Sequence, residues 1–387
     1  MESIKRLLDM RIPKRQSAFL WGARKTGKTT YLKQKFQDSL LFDFLKTDLF
    51  FEISKNPSLL RERLLAQDET VLSKPVVLDE VQKVPQVLDE VHWLIENKGI
   101  NFILCGSSAR KLKRGRANLL GGRARRYELF PLVSQEIGKI DLLRALNHGL
   151  IPLHYLQNDL DCKKSLAAYV QDYLKEEVFA EGLTRSIPAF SRFFDALGYS
   201  HGELTNYSNI ARDCGVDSKT VKEYFQILVD TLLASRVEPF KKRQSRQVIT
   251  KASKYYLADV GIAGYLIKRN LEEQKGAEFG KAFEHFLFME IVAYRSYAGK
   301  DFAINFWRTK SGIEVDFVLG SGEVAVEVKG SGRVDKKDLH GLGIFAGEYS
   351  PKKSILVCNE KEKRLSGKIE ILPWEIFLEK LWTGKIL

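Results

Sequence analysis

Gly22, Ala23, Arg24, Lys25, Thr26, Gly27, Lys28, Thr29 and Thr30 run without a break between an apolar segment and one that can begin a helix. Two glycines bracket four residues, and a lysine and a hydroxyl follow, which is the spacing of a phosphate cradle. Glycine lets successive backbone N–H groups curl round phosphate oxygens, and a helix amino terminus adds partial positive charge. In that arrangement Lys28 reaches the β- and γ-phosphates of ATP, and the Thr29 hydroxyl ligates Mg²⁺. Further on, the apolar run Val76–Leu78 ends in Asp79 and Glu80. Asp79 suits a role beside the Mg²⁺, and Glu80 suits a base that orients and deprotonates the attacking water. Ser107 and Ser108 close another apolar run, "INFILCGSS", where either a γ-phosphate sensor or an ordinary helix cap is expected.

A second group lies in the last third. In "EVAVEVK" the two-residue period of a strand places Ala325, Glu327 and Lys329 on one face and three valines on the other. Asp316 closes the preceding strand, and a hairpin brings it beside the pair. Glu284, among Leu287, Phe288 and Ile291 on a long helix, is expected to be half-buried, where a carboxylate needs a partner. A Mg²⁺ ion held by Glu284, Asp316 and Glu327, with Lys329 orienting water, is one reading. Glu290 is the alternative helical acid, and surface salt bridges on an antiparallel sheet are the plain alternative for the whole set.

The elements needed to position these residues follow from periodicity. The first part reads strand, glycine loop, helix, strand with Asp-Glu, helix, strand with a polar tip. Residues 142 to 198 read as helical. "NYSNIARDCGVDSKTVKEYFQIL" then has the cadence of a helix-turn-helix, with a turn at Gly215 and a cap at Asp217 or Ser218. Its second helix buries Val221, Phe225, Leu228, Val229 and Leu232 and leaves Lys219, Thr220, Lys222 and Gln226 outward, for a DNA groove or for packing alone. "LLASRVEPF" can form a wing. The last part reads αβββαβ. Expected domains are 1–140, 141–275 and 276–387, an α/β parallel sheet, a helical and winged-helix middle, and a second α/β domain.

The chain has 387 residues, 44% hydrophobic and 11% aromatic, enough for two or three packed cores. No run approaches the ~20 apolar residues that span a bilayer, and the charged amino terminus lacks a secretion signal, so a cytoplasmic protein without membrane contact is expected. Four scattered cysteines, with no CxxC pair, read as reduced thiols. The net charge of +13 favours polyanions, DNA among them. It concentrates in Ala109–Arg126, with eight basic residues and no acid, and in Lys241–Lys254, with six and none. Such runs are either solvated faces or polyanion contacts.

"GARKTGKTT", "VVLDEVQ", "LCGSS", "GGRARRYELFPL", "GKAFEHFLFMEI" and "WRTKSGIEVDFVL" with "VEVKGS" together resemble the bacterial and archaeal AAA-like P-loop ATPases that carry a trailing domain of unknown function. The resemblance implies an additional-strand ATPase core, a winged-helix middle and a restriction-endonuclease-like end of PD-(D/E)xK type. It marks Arg123 as the arginine on the γ-phosphate, with Arg125 and Arg126 as close contenders, acting within one subunit or from a neighbour in a homo-oligomer. Where such proteins often carry an Arg-Asp pair, this chain has Lys175-Glu176-Glu177. The expected function is therefore an ATP-hydrolysing enzyme whose nucleotide state controls a DNA-binding, Mg²⁺-dependent nuclease-like end. An ATP-switched DNA-binding regulator and an oligomerising signalling ATPase are the alternatives.

Overall fold

The protein is described from a computed structural model covering residues 4–13, 16–107, 120–174, 187–241 and 252–387. It divides into two compact units. One comprises Lys5–Pro131 with Ile227–Leu233, and the other is built from Leu132–Gln226 and Ala234–Leu387.

The first unit is organised by five parallel strands: β1 (Ser17–Trp21), β2 (Leu41–Asp43), β3 (Val76–Asp79), β4 (Phe102–Cys105) and β5 (Ala124–Glu128). Their spatial order is β2-β3-β4-β1-β5, so β4 is inserted between the strand that feeds the glycine loop and the one that ends in Asp-Glu. β1, β3 and β4 are buried along their whole length, as a sheet covered on both faces requires. Alternate residues Phe19, Trp21, Val76, Leu78, Phe102 and Leu104 share one core with Val87, Leu88, Val91, Leu94 and Ile95 of the helix Val87–Lys98. That helix carries its apolar residues at helical spacing and stops at Gly99, in the left-handed region at φ 66°. Truncating a side chain such as Phe102, fully buried at its centre, costs about 3–5 kcal/mol. The rigid sheet brings the carboxyl ends of β1, β3 and β4 to one edge, where ligands of open α/β sheets bind.

The second unit begins with short helices and then a helix pair, Tyr207–Cys214 and Ser218–Asp230, of which the last turn, from Ile227, belongs to the first unit. Gly215 terminates the first at φ 68°, and Asp217 caps the second, accepting from the Thr220 N–H at 2.8 Å and from its hydroxyl at 3.1 Å. Thr220 is thereby turned back on its own cap, whereas Lys219, Lys222 and Gln226 are exposed. Leu232 lies beyond the helix end and packs with the first unit's core.

β6 (Ala234–Pro239) pairs antiparallel with β7 (Lys254–Leu257), but its far end also pairs with β8 (Ile304–Arg308). The expected wing is thus an integral part of a mixed sheet with β9 (Glu314–Leu319), β10 (Val324–Lys329), β11 (Lys353–Cys358), β12 (Arg364–Ser366) and β13 (Ile369–Pro373). The order is β12-β13-β11-β10-β9-β8-β6-β7. The sheet therefore takes strands from both sides of residue 275. The long helix Ala277–Tyr297 and the helix His340–Tyr349 complete the αβββαβ run. Trp307, Val315, Val318, Ala325, Leu342, Phe345 and Leu356 form its core under the second of these helices.

Candidate nucleotide site and carboxylate cluster

The glycine loop is held by its backbone. Gly27 precedes the helix Lys28–Lys35 at φ 93°, a conformation that only glycine adopts cheaply. A Cβ on Gly22 would fall 2.4 Å from the Leu129 carbonyl oxygen, so the chain passes there only without a side chain. Lys25, exposed on the loop, is also in the left-handed region at φ 63°. Thr26 is buried, its hydroxyl donating to the Ala23 carbonyl at 2.9 Å. Lys28 is buried and folds over the loop, donating to the carbonyls of Gly22 at 2.8 Å and Ala23 at 3.0 Å. Arg24 is half-buried and Thr30 exposed.

β3 brings its acids to this loop. The Thr29 hydroxyl donates to Asp79 Oδ2 at 2.6 Å, and the Glu80 N–H donates to Asp79 Oδ1 at 3.0 Å. Asp79 is buried, and these two donors orient both of its oxygens. Glu80 adopts φ 56°, a strained conformation of the kind that clusters at working sites. Gln82 donates through Nε2 both to Glu80 Oε2 and to Ser107 Oγ, the latter at 3.2 Å, and so links the acid to the tip of β4. Its Oε1 is buried without a partner. A Cβ on Gly106 would meet that oxygen at 2.2 Å, which explains the glycine beside Ser107. Sequence patterning missed Gln82, whose one signal was its place two residues beyond Glu80. It also missed Arg6, whose guanidinium donates to the carbonyls of Thr26 at 2.6 Å and Phe130 at 2.6 Å and braces the loop from outside.

Arg123 is placed elsewhere. The Ser17 N–H donates to its carbonyl at 2.9 Å, and β5 then runs beside β1 from Ala124 opposite Ser17 to Glu128 opposite Trp21. Arg123 therefore lies at the edge opposite the glycine loop, about 16 Å away at ~3.3 Å per residue. Its side chain pairs with Glu96. In this register Arg123 does not reach its own chain's glycine loop, and the same edge strand carries Arg125 and Arg126 exposed. Ser108, Lys175-Glu176-Glu177, and most of Ala109–Arg126 and Lys241–Lys254 lie outside the described residues.

In the second unit, β9 and β10 pair with Val326 opposite Phe317, so Glu327 follows beside Asp316. The Val328 N–H donates to Asp316 Oδ2 at 2.8 Å, and Lys329 donates to Glu327 Oε1 at 2.6 Å. Glu284 accepts from the Tyr256 hydroxyl, and Lys254 Nζ lies 3.8 Å from the same carboxylate. Burial, then the Asp316 charge, pushes Glu284 up to about 7. Burial likewise raises Asp316, against the pull of Lys254 and Lys329, and raises Glu327 well above the carboxylate range. The acids thus share one electrostatic environment. Among the described residues, however, no three acid, histidine or cysteine side chains converge closely enough to hold a metal ion. Glu284, Asp316 and Glu327 instead make separate contacts here, with Tyr256 and Lys254 at one Glu284 oxygen, a backbone N–H on Asp316 and Lys329 on Glu327. One oxygen, Glu327 Oε2, is buried with no partner, and carboxylate oxygens of this kind suit a hard divalent cation. Glu290 is not part of this group. It accepts from the Ser134 N–H at 2.7 Å, the Ser134 hydroxyl at 2.9 Å and the Trp382 indole at 2.7 Å, a structural clamp.

Residues 14–138 match a family described as an AAA domain. Residues 140–273 and 279–377 match two domains of unknown function, DUF8612 and DUF4143. Uncharacterized proteins of Mycobacterium bovis and Mycobacterium tuberculosis are each 25% identical over 314 residues, 78% of this chain and 66% of theirs. The match therefore spans just under two thirds of those relatives' length. Among solved structures, the Aeropyrum pernix ORC1 protein in complex with DNA is 12% identical, covering 65% of this chain and 86% of that one, with a TM-score of 0.27. A Pyrococcus horikoshii signal-transduction ATPase with a tetratricopeptide repeat sensor is 11% identical, covering 73% and 47%, with a TM-score of 0.18. Superposition this loose bears on neither partner nor substrate. No helix among the described residues is long and apolar enough to cross a membrane. The parallel sheet, the glycine loop at the end of β1 and the family match over residues 14–138 together make this part of the chain an AAA-like P-loop ATPase domain.

Proposed function

We propose that the chain hydrolyses ATP and uses its nucleotide state to control a DNA-binding, nuclease-like carboxyl-terminal part. The observation that carries the first half is the contact between the Thr29 hydroxyl and Asp79, which sets the end of the glycine loop against the acid at the end of β3. Gly22 to Thr29 would wrap the phosphates with backbone N–H groups, and Lys28 would exchange the carbonyls of Gly22 and Ala23 for phosphate oxygens. Thr29 and Asp79 would hold Mg²⁺, which when bound neutralises the phosphate charge. Glu80, fixed by Gln82, would take a proton from the attacking water, and Ser107 would sense the terminal phosphate through the same glutamine. With Arg123 remote from this loop, Arg123 itself would act on the phosphate only from a neighbouring copy.

For the second half, the support is the αβββαβ run with Asp316, Glu327 and Lys329 on its central hairpin, together with the orphaned Glu327 oxygen. Glu284, Asp316 and Glu327 would hold Mg²⁺, and Lys329 would orient water toward a phosphodiester. Exposed Lys219 and Lys222 and the net charge of +13 favour a polyanionic partner such as DNA. A DNA-binding ATPase that does not cut is the second reading, favoured by the failure of the three acids to converge. Incubating labelled DNA with the protein, Mg²⁺ and ATP, with Asp316→Ala as control, separates the two. Cleavage lost in the variant supports the nuclease. Binding without cleavage by either protein supports the second reading. Phosphate release with neither binding nor cleavage of DNA overturns both DNA readings.

A further inference from the structure

Lys254 closes a basic run in the sequence, yet its side chain is only 4% exposed and turns into the acids. Burial opposes its charge, but Glu284, then Asp316, Glu314 and Glu203, outweigh burial and hold the proton more firmly than usual. The ammonium is 3.8 Å from Glu284 Oε1 and 5.4 Å from the centre of the Phe306 ring, which closes it off from water. Two residues on and on the same strand face, Tyr256 donates to that Glu284 oxygen and stacks on Phe288 with ring centres 4.3 Å apart. Both side chains come from β7, outside the αβββαβ run that carries the acids. The cluster is therefore completed by a strand from another part of the chain.

We propose that Lys254 is a built-in counter-ion occupying the cation position of this cluster, so that a divalent ion binds only by displacing the ammonium from Glu284. This rests on reading the acids as a metal site. Two cations competing for the same oxygens repel at short range, so Lys254 sets a low affinity for the metal and confines binding to arrangements in which β7 has yielded. It also accounts for three acids that share one environment yet do not converge.

The test is Mn²⁺ binding to the full chain without nucleotide, followed by the paramagnetic signal of the free ion. Lys254→Met is expected to bind about tenfold more tightly than wild type or better. Lys254→Arg, which keeps the charge, is expected to stay at the wild-type level, and Asp316→Asn in the Lys254→Met background to lose the gain. A side chain needed only for packing would not tighten metal binding when removed. Should Lys254→Met misfold by circular dichroism, Lys254→Gln serves in its place. Unchanged or weaker binding in the folded variant, with wild-type binding still abolished by Asp316→Asn, overturns the counter-ion and leaves the metal site standing. No uptake at millimolar Mn²⁺ by any folded variant overturns both.

Discussion

The glycine loop and the carboxylate cluster both concentrate charge, but they are stabilised in opposite ways. At the loop, two glycines fix the backbone and the Thr29 hydroxyl touches Asp79, so that the main rearrangement for a phosphate is the release of Lys28 from two backbone carbonyls. In the cluster the oxygens of buried Asp316 and Glu327 and half-buried Glu284 are met by two lysines, a tyrosine and a backbone N–H, so any incoming cation has to displace protein donors. A site made from backbone is organised by the fold itself. One made from charged side chains carries its own counter-charges, and its occupancy becomes a competition.

The largest effect expected from breaking this contrast is at Lys28. Lys28→Ala removes a charge-assisted donor from the cradle and is expected to weaken ATP binding by about 100-fold or more in equilibrium titration. Next comes Glu290, which lies in the same unit as the cluster but serves as a clamp. Glu290→Ala strands the Ser134 and Trp382 donors and is expected to cost about 3 kcal/mol in denaturant unfolding. Loss of metal binding in that variant while it remains folded would blur the distinction between clamp and cluster.

A smaller effect is expected from pH. Burial, opposed by Trp382 and Ser134, pushes Glu290 up to about 7. A carboxyl raised above its unfolded value of ~4.5 contributes stability that is full below that value and is lost as pH rises through about 7. His201 and His285, lowered by burial, act with the opposite sign, losing stability as pH falls below ~6.5. The comparison with Glu290→Gln isolates the glutamate. The stability of wild type relative to this variant is expected to fall by about 2 kcal/mol between pH 4.5 and 7.5, read by calorimetry. A flat difference would place the Glu290 proton elsewhere.

Much of the first site was legible because its chemistry is local. A glycine loop between a strand and a helix, and an acid pair at a strand end, are contiguous patterns. What escaped depends on neighbours that sequence does not name. Resemblance of its segment to an ATPase family points to Arg123 for a γ-phosphate, in cis or in trans, but the register of β5 against β1 puts it at the far edge from this chain's own loop. Arg6 acts on carbonyls, which leave no mark in side-chain pattern. Lys254 reads as the end of a basic run, either solvated or on a polyanion, but pairing of β6 with β8 draws β7, and with it this lysine, to the acids. Glu284 and Glu290 sit on one helix with similar neighbours, and only the Ser134 and Trp382 donors tell them apart. Long-range pairing, not propensity, decided each of these.

The measurement closest to the centre of this account is single-turnover ATP hydrolysis by Glu80→Gln. The glutamine keeps the shape of the side chain but cannot accept the water's proton. ATP is expected to bind with affinity near that of wild type and to remain uncleaved on the protein, with phosphate release slowed by about 100-fold or more. Phosphate release at the wild-type rate would contradict the assignment of Glu80 and, with it, the reading of the β3 edge as the place where water is activated.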